Sequence, residues 1–208
     1  MHEINWHIRH ERPEEYRTVE ALTRDAFWNV YRPGCCEHYV LHRFRQDPAF
    51  VPELDLVLEL NGTLIGQIMY VRTQLELDGG GQLPIMTFGP IGIAPAYQRQ
   101  GFGKRLLDYS MEQAAALGVG ALVIEGNIHF YGKCGFTPAK ERGIRYADDP
   151  EAAYLLVKEL QPGYLAGATG LFRDPEGYRV CERDPEGFAR YEASFPAKEK
   201  RRLPGQLF

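Results

Sequence analysis

Apolar residues recur along most of this chain with two different periods, and each change of period marks an element boundary. Ile4 to Arg9 alternates as a strand, after which Pro13-Glu14-Glu15 opens a helix carrying Tyr16, Val19, Leu22 and Phe27 at roughly helical spacing. After the break at Arg32-Pro33-Gly34, Tyr39, Val40, Leu41 and Phe44 predict a second short helix over Glu37 to Gln46, ended by Asp47-Pro48. Leu54 to Leu60 and Leu64 to Leu75 are aliphatic strands on either side of Asn61-Gly62, the dipeptide that favours a two-residue hairpin turn. Asp78-Gly79-Gly80-Gly81 predicts the next turn, and Ile85 to Ile93 a third strand, which Gly89-Pro90 must bulge or kink. From Phe102 the period becomes helical: Phe102, Leu106, Leu107, Met111, Ala114 and Leu117 share one face, and Gly118 and Gly120 close the helix. A strand over Ala121 to Ile124, a brief helix over Ile128 to Lys133 and a strand over Ala152 to Leu160 follow.

Beyond Gln161 the pattern weakens. Asp174-Pro175-Glu176-Gly177 and Asp184-Pro185-Glu186-Gly187 are matched turn tetrapeptides, too few to define a repeat. Tyr164, Phe172, Tyr178, Phe188, Tyr191 and Phe195 are too many aromatics for a free tail, so residues 161–208 are expected to pack as an extension on a domain formed by residues 1–160. The basic run Lys198 to Arg202 is expected to be a solvated terminus.

Composition narrows the function classes. A chain of 208 residues with 44% hydrophobic and 25% charged residues is long enough for one compact domain and ordinary enough to exclude disordered or fibrous classes. A net charge of -4 offers no general field for nucleic acid. Met1 to His7 lacks a basic stretch followed by an apolar run, and no apolar stretch reaches spanning length, so a cytoplasmic location without membrane association is expected. Cys35, Cys36, Cys134 and Cys181 fit neither a disulfide framework nor a zinc ribbon and are read as reduced thiols. His38 and His42 stand four apart near Cys35 and Cys36, but no further ligand pair has metal-site spacing, and no metal is expected.

The chemistry-bearing stretch runs from Ile91 to Leu107: a strand, a glycine-containing turn and an amphipathic helix. Unpaired N–H groups converge at such a helix start, its dipole favours anions, and Gly101 and Gly103 leave room for phosphate oxygens, with Arg99, Lys104 and Arg105 adding charge. A Walker loop would need glycine at Gln98 and serine or threonine at Arg105, and a dinucleotide fingerprint would need glycine at Leu106, so both are excluded.

Gln98-Arg99-Gln100-Gly101-Phe102-Gly103 resembles the pyrophosphate loop of the GNAT superfamily of N-acetyltransferases, and Phe130-Tyr131-Gly132-Lys133-Cys134-Gly135-Phe136 resembles its second signature, an aromatic-rich helix ending in Gly-Phe. Gly126-Asn127-Ile128-His129-Phe130-Tyr131 is similar to a segment of a bacterial subgroup with long C-terminal extensions. The resemblance implies an α/β fold in which a central mixed, splayed sheet is flanked by helices, and an acetyl-CoA-dependent transfer to a primary amine by direct attack in a ternary complex. It implies that Ile91, Gly92 and Ile93 pair with pantetheine, that Gln98, Arg99, Gln100, Gly101, Phe102, Gly103 and Lys104 hold the pyrophosphate, and that Asn127 adds to the cofactor site and caps the short helix. Tyr131 stands where the family places the tyrosine that serves the departing thiolate, with core packing as its alternative role.

Many relatives carry a glutamate on the strand equivalent to Gln82 to Ile93, but here that strand holds neither carboxylate nor histidine. Glu125 is the leading base, followed by His129 and by Glu37 or His38. The missing strand carboxylate also sustains a second reading, a catalytically inactive acyl-CoA-binding sensor or interaction module. The acceptor, a small molecule or a protein amino group, is not legible, and the extension is expected either to close the pocket or to pair two copies as a homodimer.

Overall fold

The computed structural model describes residues 5–206. Strand β1 (Trp6–His10) opens it; Ile4, expected in the same strand, lies outside the described residues. Pro13–Glu15 forms a single 3-10 turn rather than the first turn of the helix, and α1 (Tyr16–Phe27) follows it. Helix α2 (Glu37–Phe44) stops two residues short of the expected Gln46. Strands β2 (Leu56–Leu60) and β3 (Thr63–Leu77) form the hairpin, with Asn61 at φ 49° and Gly62 at φ 80°, the two positive values its turn requires.

Strand β4 (Gln82–Ile93) pairs antiparallel with β3 along its length, and its register slips where Ile68 opposes Ile91 but Tyr70 opposes Phe88. Gly89 and Pro90 are therefore the bulge that the proline predicted. Helix α3 (Phe102–Ala116) leads into β5 (Ala121–Glu125), parallel to β4, then come α4 (Ile128–Tyr131), β6 (Thr137–Pro138), β7 (Ile144–Tyr146), β8 (Leu155–Glu159) and β9 (Gly170–Phe172). Helices α5 (Val180–Arg183) and α6 (Pro185–Glu192) complete the elements. The sheet runs β1-β2-β3-β4-β5-β8-β6, with β9 on the far half of β3 and β7 beside it.

Strand alternation divides the core. Leu56, Leu58, Ile68, Tyr70 and Phe88 face α3 and pack on Leu106, Leu107, Met111 and Ala114, while Val57, Met69 and Val71 face α1 and α2, meeting Val19, Tyr39, Val40, Leu41 and Phe44. Each fully buried leucine on these faces contributes roughly 1.5–3 kcal/mol of transfer free energy. Among the described residues no helix is long and apolar enough to cross a membrane.

Residues after 160 contribute directly to this architecture. Strand β9 pairs with β3, a position open only to glycine at residue 170, where a Cβ would sit 2.2 Å from the Glu76 carbonyl oxygen. Helix α6 and the turn after it dock on α1 and α2 through Phe188, Tyr191 and Phe195, which surround the His38 ring. The basic run is exposed but not loose: the Glu199 carbonyl accepts from Trp28 Nε1, and Lys198 pairs with Asp25.

Candidate functional site

The site grows from one defect in the sheet. β4 and β5 pair only at Met86–Leu122 and Thr87–Val123, after which β4 bulges at Gly89-Pro90 and β5 continues along β8. A cavity of about 320 Å3 opens between the diverging strands, lined by Phe88 to Ile91 from β4, Ile124 and Glu125 from β5, and Tyr131 from α4. Phe27, Tyr31, Arg32, Cys36 and Glu37 close it from the α1–α2 side, and Phe172, Asp174 and Tyr178 from the C-terminal segment. The bulge is fixed by side chains rather than by strand pairing: Gln67 Nε2 donates to the Pro90 carbonyl at 3.1 Å and the Tyr178 hydroxyl to the Gly89 carbonyl at 3.0 Å.

The loop at the end of β4 has the geometry of an anion cradle. Gly101 stands at φ 86°, a left-handed conformation that glycine adopts without strain, and a Cβ there would meet no atom within 4 Å. At Gly103 a Cβ would make ordinary contacts with Ile93 and with Phe130 of α4, so the helix start lies against the short helix that carries Tyr131. Arg99 also has a positive φ of 60°. Gln98 and Gln100 brace the loop from inside, donating to the carbonyls of Ile93 and Ala96. Phe102 is buried and anchors the helix start.

Of the three loop cations, Lys104 pairs with Asp108 at 2.5 Å and Arg105 lies over the Trp6 ring, while Arg99 is exposed without an ion pair among the described residues. The Lys104 pair is exposed and screened by solvent, so it holds the side chain only weakly. The Asp108 pair therefore leaves Lys104 able to turn toward an anion in the cradle.

The residues singled out from sequence separate into groups. Ile91, Glu125 and Tyr131 meet in the cavity. Gly92 lies instead beneath α1, where Ala26 and Phe27 would touch a Cβ at 3.4 Å, and Ile93 is buried beneath the loop. Asn127 caps α4 by accepting from His129 N–H at 2.9 Å. His129 is exposed, whereas His38 is sealed, with Nε2 2.8 Å from Glu192 and Nδ1 3.4 Å from the Cys35 thiol. That Cys-His-Glu order is no nucleophile: Cys35 is buried outside the cavity and burial pushes its thiol well above the ordinary value. Among the described residues no group of three or more His, Cys, Asp or Glu side chains is arranged around a metal.

Tyr131 packs so closely on Gly126 that a Cβ there would lie 2.2 Å from its ring, and Phe88, Phe130 and Phe136 complete its surround. Burial first, then Tyr31 and Cys134, push its hydroxyl above the ordinary tyrosine value, so it keeps its proton. Glu125 is accessible as a residue, yet its carboxyl sits in the cavity wall beside Asp174 and Tyr146, where burial and then Asp174 push its pKa up to about 8. Burial likewise raises Glu37, whose carboxylate accepts from the Cys36 N–H at 2.9 Å. Asp174, Tyr146 and Tyr178 escaped the sequence reading, because their only local signal was a turn tetrapeptide and scattered aromatics.

Comparison with known proteins assigns the class. Residues 11–136, more than half of the 208, match the acetyltransferase (GNAT) family, and the chain belongs to it. The uncharacterized N-acetyltransferase YjhQ of Escherichia coli (strain K12) is 28% identical over 94 residues, covering 45% of this chain and 51% of the relative, so the chain spans about half the length of the curated relative it matches. Among solved structures, the GNAT family N-acetyltransferase YhbS of Escherichia coli, in complex with CoA, superposes with a TM-score of 0.72 at 24% identity, over 84% of this chain and 92% of that one. A GNAT family acetyltransferase from Brucella melitensis, in complex with acetyl-CoA, gives 0.61 at 24% identity, over 76% and 90%. These likenesses establish the fold, a splayed mixed sheet flanked by helices.

Proposed function

We propose that this chain transfers an acetyl group from acetyl-CoA to a primary amine by direct attack within a ternary complex. The observation that carries the reading is that one strand, β4, ends in the open glycine cradle and also lines the cavity where it leaves β5, joining a phosphate site to a reaction chamber. That the two structural neighbours bind CoA or acetyl-CoA supports the same assignment.

In this reading the residues Gln98 to Lys104 hold the pyrophosphate through backbone N–H groups, Arg99 and Lys104, with Asn127 contributing a side-chain amide. The edge of β4 from Phe88 to Ile93, which β5 leaves without a strand partner, offers backbone groups at Ile91, Gly92 and Ile93 to the pantetheine amides and an N–H to the thioester oxygen. Glu125 takes a proton from the substrate ammonium, and the freed amine, held against the carbonyl, forms the C–N bond. Tyr131 donates a hydrogen bond to the departing sulfur. Its hydroxyl is a weaker acid than a thiol of ordinary pKa 8.5, so the sulfur takes its proton from the attacking nitrogen.

The test is release of free CoA thiol from acetyl-CoA across a panel of amines, peptides and antibiotics, with product mass recorded. The reading expects an acetylated amine from at least one member. Tight acetyl-CoA binding with no thiol release from any member would instead identify a binding module.

A further inference from the structure

We propose, resting on the transferase reading, that Asp174 and Tyr146 are the positioning residues of the proton acceptor: they hold the Glu125 carboxyl in the cavity wall, where it takes the proton shed by the acceptor amine. Three separate segments build this group. Glu125 ends β5, Tyr146 ends β7, and Asp174 follows β9, the strand that residues beyond 160 add to the sheet. The Tyr146 hydroxyl donates to Asp174 Oδ2 at 2.5 Å, and Glu125 lies within electrostatic reach of both. Glu125 and Asp174 line the same cavity, so the carboxyl has access to the chamber.

The arrangement makes chemical sense only if protons move there. The groups facing Glu125 are Asp174, Tyr146, Tyr154, Tyr178 and Asp148, the last paired with Arg179, and Arg32 and Glu37 line the same cavity from the α1–α2 side. Burial first, then the neighbouring Asp174 charge, make the Glu125 carboxyl hold its proton up to about pH 8. The step balances. The substrate R–NH3+ and ionised Glu125 give R–NH2 and protonated Glu125; the amine nitrogen then bonds to the acetyl carbon, the C–S bond breaks, and the second nitrogen proton leaves on the thiol. Glu125 returns its proton to solvent.

The experiment is the pH dependence of kcat/KM with a primary alkylamine, whose ammonium persists to about pH 10 and so leaves the acidic limb to the enzyme. The wild type should lose activity as pH falls through about 8. Asp174→Asn removes the like charge while keeping an acceptor for Tyr146, and should move that limb down by about one pH unit or more. Tyr146→Phe removes the donor that stabilises the negative charge of the carboxylate pair at Asp174, and should move it up. Opposite shifts, with acetyl-CoA affinity within about twofold of wild type to show an intact fold, are what the proposal requires. An unmoved limb in both variants of an active enzyme overturns this inference alone. Absence of turnover by the wild type across the amine panel overturns the transferase reading itself, and this role with it.

Discussion

Glu192 and Asp174 both belong to the C-terminal segment and both reach into the body of the protein, but they meet opposite company. Glu192 receives Arg24 at 2.5 Å and His38 at 2.8 Å, and Arg24 also lies over Trp28, so its charge is balanced and sealed among aromatic rings. Asp174 meets Glu125 and a tyrosine and faces a cavity. A carboxylate matched by an internal cation ties α6 to α1 and α2 and has nothing left to offer a ligand. A carboxylate opposed by another carboxylate destabilises its surroundings unless a proton or a cation arrives, and in the proposed reaction that cation is the substrate ammonium. The difference separates a structural ion pair from a chemical one.

Substitutions should therefore dissociate the two regions. Glu192→Gln strips the counter-charge from buried Arg24, and should cost about 3–5 kcal/mol of unfolding free energy in urea titrations while leaving kcat per folded molecule unchanged. A second large effect comes from pH. Burial lowers the His38 pKa to about 4 against an ordinary 6.5, so the unfolded chain takes up a proton that the fold refuses. The facing groups Glu192, Arg24 and Glu20 are included in that balance. Stability is full above pH 6.5 and should fall by up to about 3 kcal/mol toward pH 4, and the slope should flatten in His38→Asn, as urea midpoints at pH 5 and pH 7 would record.

Smaller effects are expected at the cradle. Gly101→Ala places a Cβ in open space but in a left-handed conformation, so it should cost about 1–2 kcal/mol of stability by thermal unfolding. Calorimetry should also show weaker acetyl-CoA binding, because the added methyl projects into the cradle. Arg99→Ala should weaken acetyl-CoA by about three- to tenfold with stability unchanged, since one exposed cation adds a single charge-assisted contact.

The sequence disclosed elements whose cause is local. Asn61-Gly62 dictates its hairpin, the face of Leu106, Leu107, Met111 and Ala114 dictates α3, Gly89-Pro90 dictates a bulge, and Asn127 caps α4 as its position implied. Strands β6, β7 and β9 are two or three residues long, too short for any period, and exist because a neighbouring edge accepts them. The matched tetrapeptides show the same limit at the site. Asp184 accepts from the Gly187 N–H at 2.9 Å and caps α6, whereas Asp174 begins an identical tetrapeptide and accepts from Tyr146 beside Glu125. Local chemistry is the same in both, and only the pairing of β9 with β3 brings one of them to the cavity. For the same reason Glu125 was legible as a carboxylate at a strand end, but the partners that raise its pKa were not.

The most direct measurement is single-turnover acetylation of a primary amine, at saturating acetyl-CoA, by the wild type and by Glu125→Gln across pH 6 to 9. The account predicts acetylated product from the wild type with a rate that falls below about pH 8, and a rate about 10²-fold lower and without that limb in Glu125→Gln, at equal acetyl-CoA affinity. Equal rates and an identical pH limb in the two proteins would contradict it.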